Sequence, residues 1–330
     1  MKILVTGGAG FIGSHYVRTL LDGGYPGYER AEVTVLDKLT YAGNAANLPM
    51  EHPRLNFVKG DITDIELLQE VVPGHDDVVH FAAESHVDRS LADPAEFVRT
   101  NVAGTQLLLD ACLRAGVPRI VHVSTDEVYG SIDDGKWTEE WPLRPNSPYA
   151  ASKAGSDLMA RAYHQTHGLD VRITRCSNNY GPYQHVEKVI PRFITNLLEG
   201  QTVPLYGDGR NVREWIHVDD HCRAIQLVLT RGRAGEIYNI GGDVQFSNRE
   251  LTTRLLDLCG AGWDRVRYVE DRKGHDLRYA LDDSKIREEL GYRPGVTFEA
   301  GLAEVVRWYI DRPDWWRPLR ESEEPKELTG

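Results

Sequence analysis

Cysteine is scarce. Cys112, Cys176, Cys222 and Cys259 are the only four in 330 residues, and none belongs to a CxxC. That spacing excludes a disulfide framework and a zinc ribbon, and it suits a reducing cytosol. No apolar run approaches the ~20 residues needed to span a bilayer. Met1-Lys2 leads straight into a strand-like run and not into a charged leader with an apolar stretch. The expectation is a cytoplasmic protein that binds no membrane. Basic residues are also in deficit, with 38 Lys and Arg against 50 Asp and Glu and a net charge of -12. A nucleic acid would be repelled by that average, whereas a small anion can still be met by a local Arg cluster. No fixed-period repeat occurs. The one biased stretch is the end, where Glu321–Gly330 holds four Glu and one Lys and reads as a disordered acidic tail from about residue 320.

Short apolar runs alternate with helical patterns through the first half of the chain. Lys2–Thr6, Val33–Leu36, Leu55–Val58, Asp77–Phe81, Arg119–Val123 and Val171–Thr174 read as strands. Ile12–Leu21, Phe97–Ala115 and Tyr149–His167 read as helices. This alternation predicts an α/β fold with a Rossmann-like, doubly wound parallel sheet. After Asn178 the elements shorten and Gly, Pro and Asn become frequent. The texture predicts a smaller, mixed α/β C-terminal domain for substrate. The first domain spans 1–177 and is rejoined at about 214–242, through a helix at Asp219–Thr230 and a strand at Glu236–Ile240. The second takes 178–213 and 243–330.

Between the first strand and the first helix lies Thr6-Gly-Gly-Ala-Gly-Phe-Ile-Gly13. Gly8, Gly10 and Gly13 give GxGxxG, while Gly7, Gly10 and Gly13 give GxxGxxG. Glycines let backbone turn tightly against a pyrophosphate whose charge is met by the helix N-terminus. The bland alternative is a tight turn, but the strand before and helix after favour dinucleotide binding. Asp37 ends the second strand, where a carboxylate accepts from ribose hydroxyls and repels a 2′-phosphate. The expected cofactor is therefore NAD.

Tyr149-Ala-Ala-Ser-Lys153 places a phenol and an ammonium on one helix face. A phenol near pKa 10 is a poor base, so the ammonium and a cationic nicotinamide are expected to favour the phenolate. Ser124-Thr-Asp-Glu-Val-Tyr-Gly130 follows the fifth strand, at the sheet edge where ligands bind. Thr125 can hydrogen-bond a reacting oxygen. Asp126 and Glu127 are two adjacent carboxyl groups, more than a simple oxidoreductase needs. Elimination of water needs both a base and an acid. Singly, each of these motifs reads as surface chemistry or a capped turn.

Together with Ala82-Ala-Glu-Ser-His-Val-Asp-Arg-Ser90 and Cys176-Ser-Asn-Asn-Tyr-Gly-Pro182, these motifs closely resemble the dTDP-glucose 4,6-dehydratase family of the extended short-chain dehydrogenase/reductase superfamily. The resemblance runs from Met1 to about Asp311. It implies C4 oxidation, loss of water across C5 and C6, and return of hydride to C6, giving dTDP-4-keto-6-deoxyglucose. By motif, Tyr149, helped by Thr125 and Lys153, takes the 4-hydroxyl proton. Glu127 takes the C5 proton and Asp126 protonates the leaving 6-hydroxyl. The cofactor contacts it implies are Gly7, Gly10, Phe11, Ile12, Gly13, Asp37, Lys38, Thr40, Asp61, Ile62, Phe81, Ala82, Ala83, Ser85, Thr100, Tyr149, Lys153, Cys176 and Asn179. The substrate contacts it implies are Ser85, His86, Thr125, Asn178, Glu187, Lys188, Asn248, His275 and Tyr279, with Arg213 and Arg272 on the diphosphate. Val203, Pro204, Leu205 and Tyr206 resemble the segment that packs on thymine. A homodimer built through the Phe97–Ala115 and Tyr149 helices is also implied, and it accounts for surplus aliphatic surface from Val102 to Ala115.

His217-Val-Asp-Asp-His221 lacks the Glu of a zincin helix and any evident third ligand, so it is read as structural and no metal is expected. Trp308, Trp315 and Trp316 are read as packing residues. Three rival functions remain: a sugar 4-epimerase of the same fold, which Asp126 and Glu127 argue against; a dehydratase of another nucleotide sugar; and a silent NAD-binding scaffold, which would not need Tyr149 and Lys153.

Overall fold

The computed structural model describes residues 1–323. Its strands are β1 (Lys2–Thr6), β2 (Glu32–Asp37), β3 (Leu55–Lys59), β4 (Asp77–His80), β5 (Arg119–Thr125), β6 (Val171–Cys176), β7 (Asn178–Tyr180), β8 (Val203–Tyr206), β9 (Val212–His217), β10 (Ile237–Ile240), β11 (Val244–Ser247) and β12 (Val266–Val269). Seven of them form one sheet in the order β10-β6-β5-β4-β1-β2-β3. Every neighbouring pair in it is parallel. The doubly wound α/β class expected from the strand-helix alternation is therefore what the chain adopts. Strand order reverses between β1 and β4, which opens a crevice at the carboxyl ends of the strands. Helices cover both faces, so β4 and β6 are buried along their whole length.

Two strands run further than their apolar patterns suggest. β5 continues through Thr125 and β6 through Cys176, which carries both residues to the crevice edge. The Ile65–Val71 helix is not among the elements read from the sequence; Asp64 caps it by accepting from the Leu67 amide at 3.1 Å. The helical stretch expected over Phe97–Ala115 is two things. Val98–Gly104 is π-helical and Thr105–Ala115 is α-helical. The wider turn directs Asn101 inward, where its side chain binds both backbone groups of Glu84 (2.8 and 3.0 Å) and the Ser152 hydroxyl (2.8 Å).

The second lobe holds a three-stranded sheet, β11-β9-β7, and a parallel pair, β8 and β12. The rejoining of the large sheet, expected from about residue 214, begins with the Val218–Arg231 helix and β10, because β9 pairs within the small sheet. Trp215, Phe298, Tyr309 and Trp316 are buried in this lobe's core. Trp308 and Trp315 stack edge-on at 5.0 Å, and the Trp315 indole donates to Asn47 at 2.9 Å, tying the last helix to the first lobe. That helix, Pro313–Glu323, reaches past residue 320, where the sequence suggests disorder; Arg320 is tied down 3.0 Å from Glu199. The rest of the expected tail, 324–330, lies outside the described residues. No helix among those described is long and apolar enough to cross a membrane.

Candidate active site

The glycine-rich turn is held by contact with its surroundings. Gly7 has φ +70°, and a Cβ there would lie 2.5 Å from the Ala82 amide nitrogen. A Cβ on Gly13 would lie 2.3 Å from the Gly7 carbonyl oxygen. A Cβ on Gly8 would instead meet the Val35 side chain, so of the glycines in this turn Gly7, Gly10 and Gly13 line the crevice. Gly10 precedes the Phe11–Leu21 helix without a side-chain cap, which leaves its first amides facing the crevice. Asp37, at the end of β2, accepts from the Ala9 and Leu39 amides at 2.9 and 2.8 Å. Burial pushes its carboxyl upward, and those two amides oppose the push. A backbone cradle with no room for side chains, beside an acidic residue at the neighbouring strand end, fits a dinucleotide.

The crevice is a cavity of about 320 Å³. All the residues expected to touch the cofactor line it, from Gly7 through Asp37, Lys38, Thr40, Asp61 and Ile62 to Cys176 and Asn179. Lys38 is held 2.8 Å from Asp61 and 3.3 Å from Glu96. Asn179 receives its orientation from His221, whose Nδ1 lies 2.8 Å from its carbonyl oxygen. His217 caps the Val218–Arg231 helix through the Asp219 amide. The two histidines are thus structural, and no cluster that could hold a metal occurs among the described residues. Leu36, Ala42, Gln184 and His185 also line the cavity and carried no sequence signal beyond lying next to motif residues, while Glu84 stands within the Ala82–Ser90 motif without an assigned role.

Thr125, Asp126, Glu127, Tyr149 and Lys153 meet on one wall of this cavity. Ser147 caps the Pro148–His167 helix by accepting from the Ala150 amide at 3.1 Å, and Pro148 stands in its first turn. Tyr149 and Lys153 therefore project one turn apart. Lys153 Nζ donates to the Val123 carbonyl at 2.8 Å, and burial pulls its ammonium down to about 8. Thr125 accepts from the Glu127 amide at 3.3 Å and hydrogen-bonds Tyr149. The sequence reading has Lys153 easing Tyr149 toward phenolate. Burial pushes the Tyr149 phenol well above its ordinary range and the Glu127 charge adds to this; the cationic ring of NAD, which that reading pairs with Lys153, acts in the opposite sense.

The carboxyl pair is differentiated. Burial pushes Asp126 well up, and Glu127 and Glu214 push it further. Its Oδ2 is buried with no hydrogen-bond partner among the described residues. Burial thus favours the protonated form of Asp126, the form that has a proton to give. Glu127 is also raised by burial, but Arg213, Lys188 and Arg272 favour its charged form. Opposed environments around two adjacent carboxyls are how one site holds an acid and a base together.

Ser85, Glu127, Asn178 and Lys188 form the wall shared with a second cavity of about 200 Å³. His86, Glu187, Pro204, Tyr206, Arg213, Asn248, Arg272, His275 and Tyr279 line it, drawn from both lobes. Val203 and Leu205 do not. They are buried at 0% and 2% exposure, because alternate residues of β8 point to opposite faces. Asp276, which the sequence reading passes over, lines this cavity and is held by Asn146 at 2.6 Å and Tyr279 at 2.7 Å.

A family model described as GDP-mannose 4,6 dehydratase matches residues 4–305. The dTDP-glucose 4,6-dehydratase of Streptomyces niveus is 60% identical over 100% of this chain and 98% of its own. The solved structure of DesIV, the dTDP-glucose 4,6-dehydratase of Streptomyces venezuelae, with NAD bound, is 68% identical and superposes with a TM-score of 0.95 over 97% of this chain and 100% of that one. Further off, UDP-glucose 4-epimerase of Thermotoga maritima is 33% identical with a TM-score of 0.87, over 95% of this chain and 100% of that one. The chain belongs to the GDP-mannose 4,6 dehydratase family, alongside its dTDP-glucose 4,6-dehydratases.

Proposed function

We propose that this protein is an NAD-dependent hydro-lyase that converts dTDP-glucose to dTDP-4-keto-6-deoxyglucose and water. The observation that carries the reading is the pair of buried Asp126 and half-buried Glu127 beside Thr125, Tyr149 and Lys153, where the two cavities join. An epimerase needs only the last three. The identity to dehydratases, about twice that to the epimerase, favours the same choice. Silent NAD binding leaves both the acid pair and the cation-lined second cavity without a purpose.

When bound in the first cavity, NAD supplies the hydride acceptor at C4, the donor that returns hydride to C6, and a positive ring charge beside Tyr149. The residues do the rest. Tyr149 Oη takes the proton of the sugar 4-hydroxyl, and Thr125 orients that hydroxyl. Lys153, charged below about 8, supports the phenolate. Once C4 is a ketone, the C5 proton is acidic enough for Glu127 to remove. Asp126 gives its proton to the 6-hydroxyl as it departs, and Glu127 returns a proton to C5. Asp37 accepts from ribose hydroxyls. Arg213 and Arg272 take the diphosphate, whose geometry suits guanidinium, and Pro204 with Tyr206 faces the base.

In this reading the large-sheet lobe binds the dinucleotide and the second lobe the nucleotide sugar, in the cytoplasm. Exposed Val98, Leu158 and Met159 on neighbouring helices support a homodimer through that face, which light scattering tests against a 37.2 kDa monomer. The function itself is tested by incubating the protein with dTDP-glucose and other nucleoside-diphosphate glucoses and measuring product mass. Loss of one water from dTDP-glucose alone is the expected result; equal turnover of a UDP-sugar, or a product of unchanged mass, refutes the substrate or the reaction.

A further inference from the structure

Arg272 and Asp88 come from opposite lobes, 184 residues apart, and meet in the second cavity. Arg272 Nε lies 2.6 Å from Asp88 Oδ1, and its terminal nitrogen lies 2.9 Å from Oδ2. The second contact is a hydrogen bond and the first an ion-pair contact without one, on a guanidinium that can take either a carboxylate or a phosphate. The guanidinium also lies 5.1 Å over the Tyr206 ring, which sets its plane.

Neighbouring charges are committed differently. Arg213 donates to the Val212 and Asp276 carbonyls, at 2.8 and 2.9 Å, and stacks on Tyr279. Asp276 is held by Asn146 and Tyr279. The Glu187 side chain is only 6% exposed, whereas that of Asp88 is 39% exposed. Of the four carboxylates that line this cavity, Asp88 is thus the one standing in water with its charge on an arginine fork.

We propose that Asp88 is an affinity-determining residue: its carboxylate holds the Arg272 fork that the diphosphate of the substrate takes, so binding exchanges one anion for another and opens the Asp88–Arg272 clasp between the lobes. This rests on the reading that the second cavity receives a nucleoside diphosphate. Two effects then lower affinity together. The diphosphate gains only the difference between its own contact with Arg272 and that of Asp88. The displaced carboxylate also stays near the diphosphate and repels it. Asp88 lies outside the reacting wall of the first cavity, so it acts on binding and not on proton transfer.

The test is calorimetric titration of dTDP into the wild type, Asp88→Asn, Asp88→Ala, Arg272→Met and the double variant Asp88→Asn with Arg272→Met, at low salt. Both Asp88 variants should bind dTDP more tightly, by roughly two- to fivefold, the range of a partly exposed ion pair. Arg272→Met should bind more weakly, and adding Asp88→Asn to it should recover little, because the effect runs through Arg272. Unchanged or weaker binding by both Asp88 variants overturns the inference, since Asp88 then positions Arg272 for phosphate instead of competing with it. Wild type that binds no dTDP overturns the nucleotide-sugar reading and this inference with it. Wild-type binding with no gain in the Asp88 variants overturns this inference alone.

Discussion

Asp157→Asn should destabilise the protein strongly although Asp157 touches neither cavity. The Asp157 side chain is 1% exposed, with Arg175 Nε at 2.8 Å and His122 Nε2 at 3.3 Å. Burial alone would raise its carboxyl. Burial is the largest single effect, but Arg175, His122 and Ser124 together outweigh it and hold the carboxyl down at about 2. A depressed carboxyl stabilises the fold above the ordinary carboxylate range, and that contribution is lost as pH falls toward about 2. Asparagine keeps the shape but leaves the buried Arg175 without its counter-ion. Breaking one side of such a pair costs about 3–5 kcal/mol. At ~2–4 °C per kcal/mol for a chain of this size class, the unfolding midpoint at pH 7 should fall by roughly 10 °C. Scanning calorimetry measures it directly. Replacing both partners, as Asp157→Leu with Arg175→Met, should cost less than Asp157→Asn alone, because no charge is then stranded. Asp157 also helps keep Lys153 protonated, so the single variant should lose activity at a lower pH than wild type. A midpoint for Asp157→Asn within about 2 °C of wild type would refute the reasoning.

Gly13→Ala places a Cβ 2.3 Å from the Gly7 carbonyl oxygen, so wild type should purify with NAD bound and the variant without it; an equal NAD content in both denatured samples would remove the cradle from the account. Lys153 is charged below about 8 and neutral above, so kcat/KM should decline above that pH, and Lys153→Arg should carry the decline upward at a lower overall rate. A wild-type profile that stays flat to pH ~10 would show that the Lys153 charge is not needed.

The parts of this protein that were legible in its sequence are those governed by short-range patterns. Glycine spacing after a strand, Asp37 at the next strand end, and Tyr149 one turn from Lys153 each announce their geometry locally. What was hidden depends on contacts distant in sequence. The π-helical turn at Val98–Gly104 carries Asn101, which bonds Glu84 and Ser152, and no periodicity reports that. Val203 and Leu205 share a motif with Pro204 and Tyr206, but a strand turns half of any motif away from its ligand. Asp276 carries no motif, Asp88 stands in one without an assigned role, and Asn146 and Arg272, which hold them, lie more than a hundred residues away. The Tyr149 phenol shows the same limit. Its lysine is visible in the sequence, whereas the burial that raises the phenol is not.

Glu127→Gln separates oxidation from elimination, and so tests the central assignment most directly. Glutamine preserves size and hydrogen-bonding shape while removing the base for C5. Tyr149, Thr125 and Lys153 remain, so C4 oxidation should proceed. Elimination should slow by ~10²–10⁴-fold, the usual contribution of a general base. In a single turnover with dTDP-glucose, the absorbance of reduced nicotinamide should rise and persist, and C5 should not exchange its proton with deuterated water. Formation of the 4-keto-6-deoxy product at the wild-type rate would contradict the account.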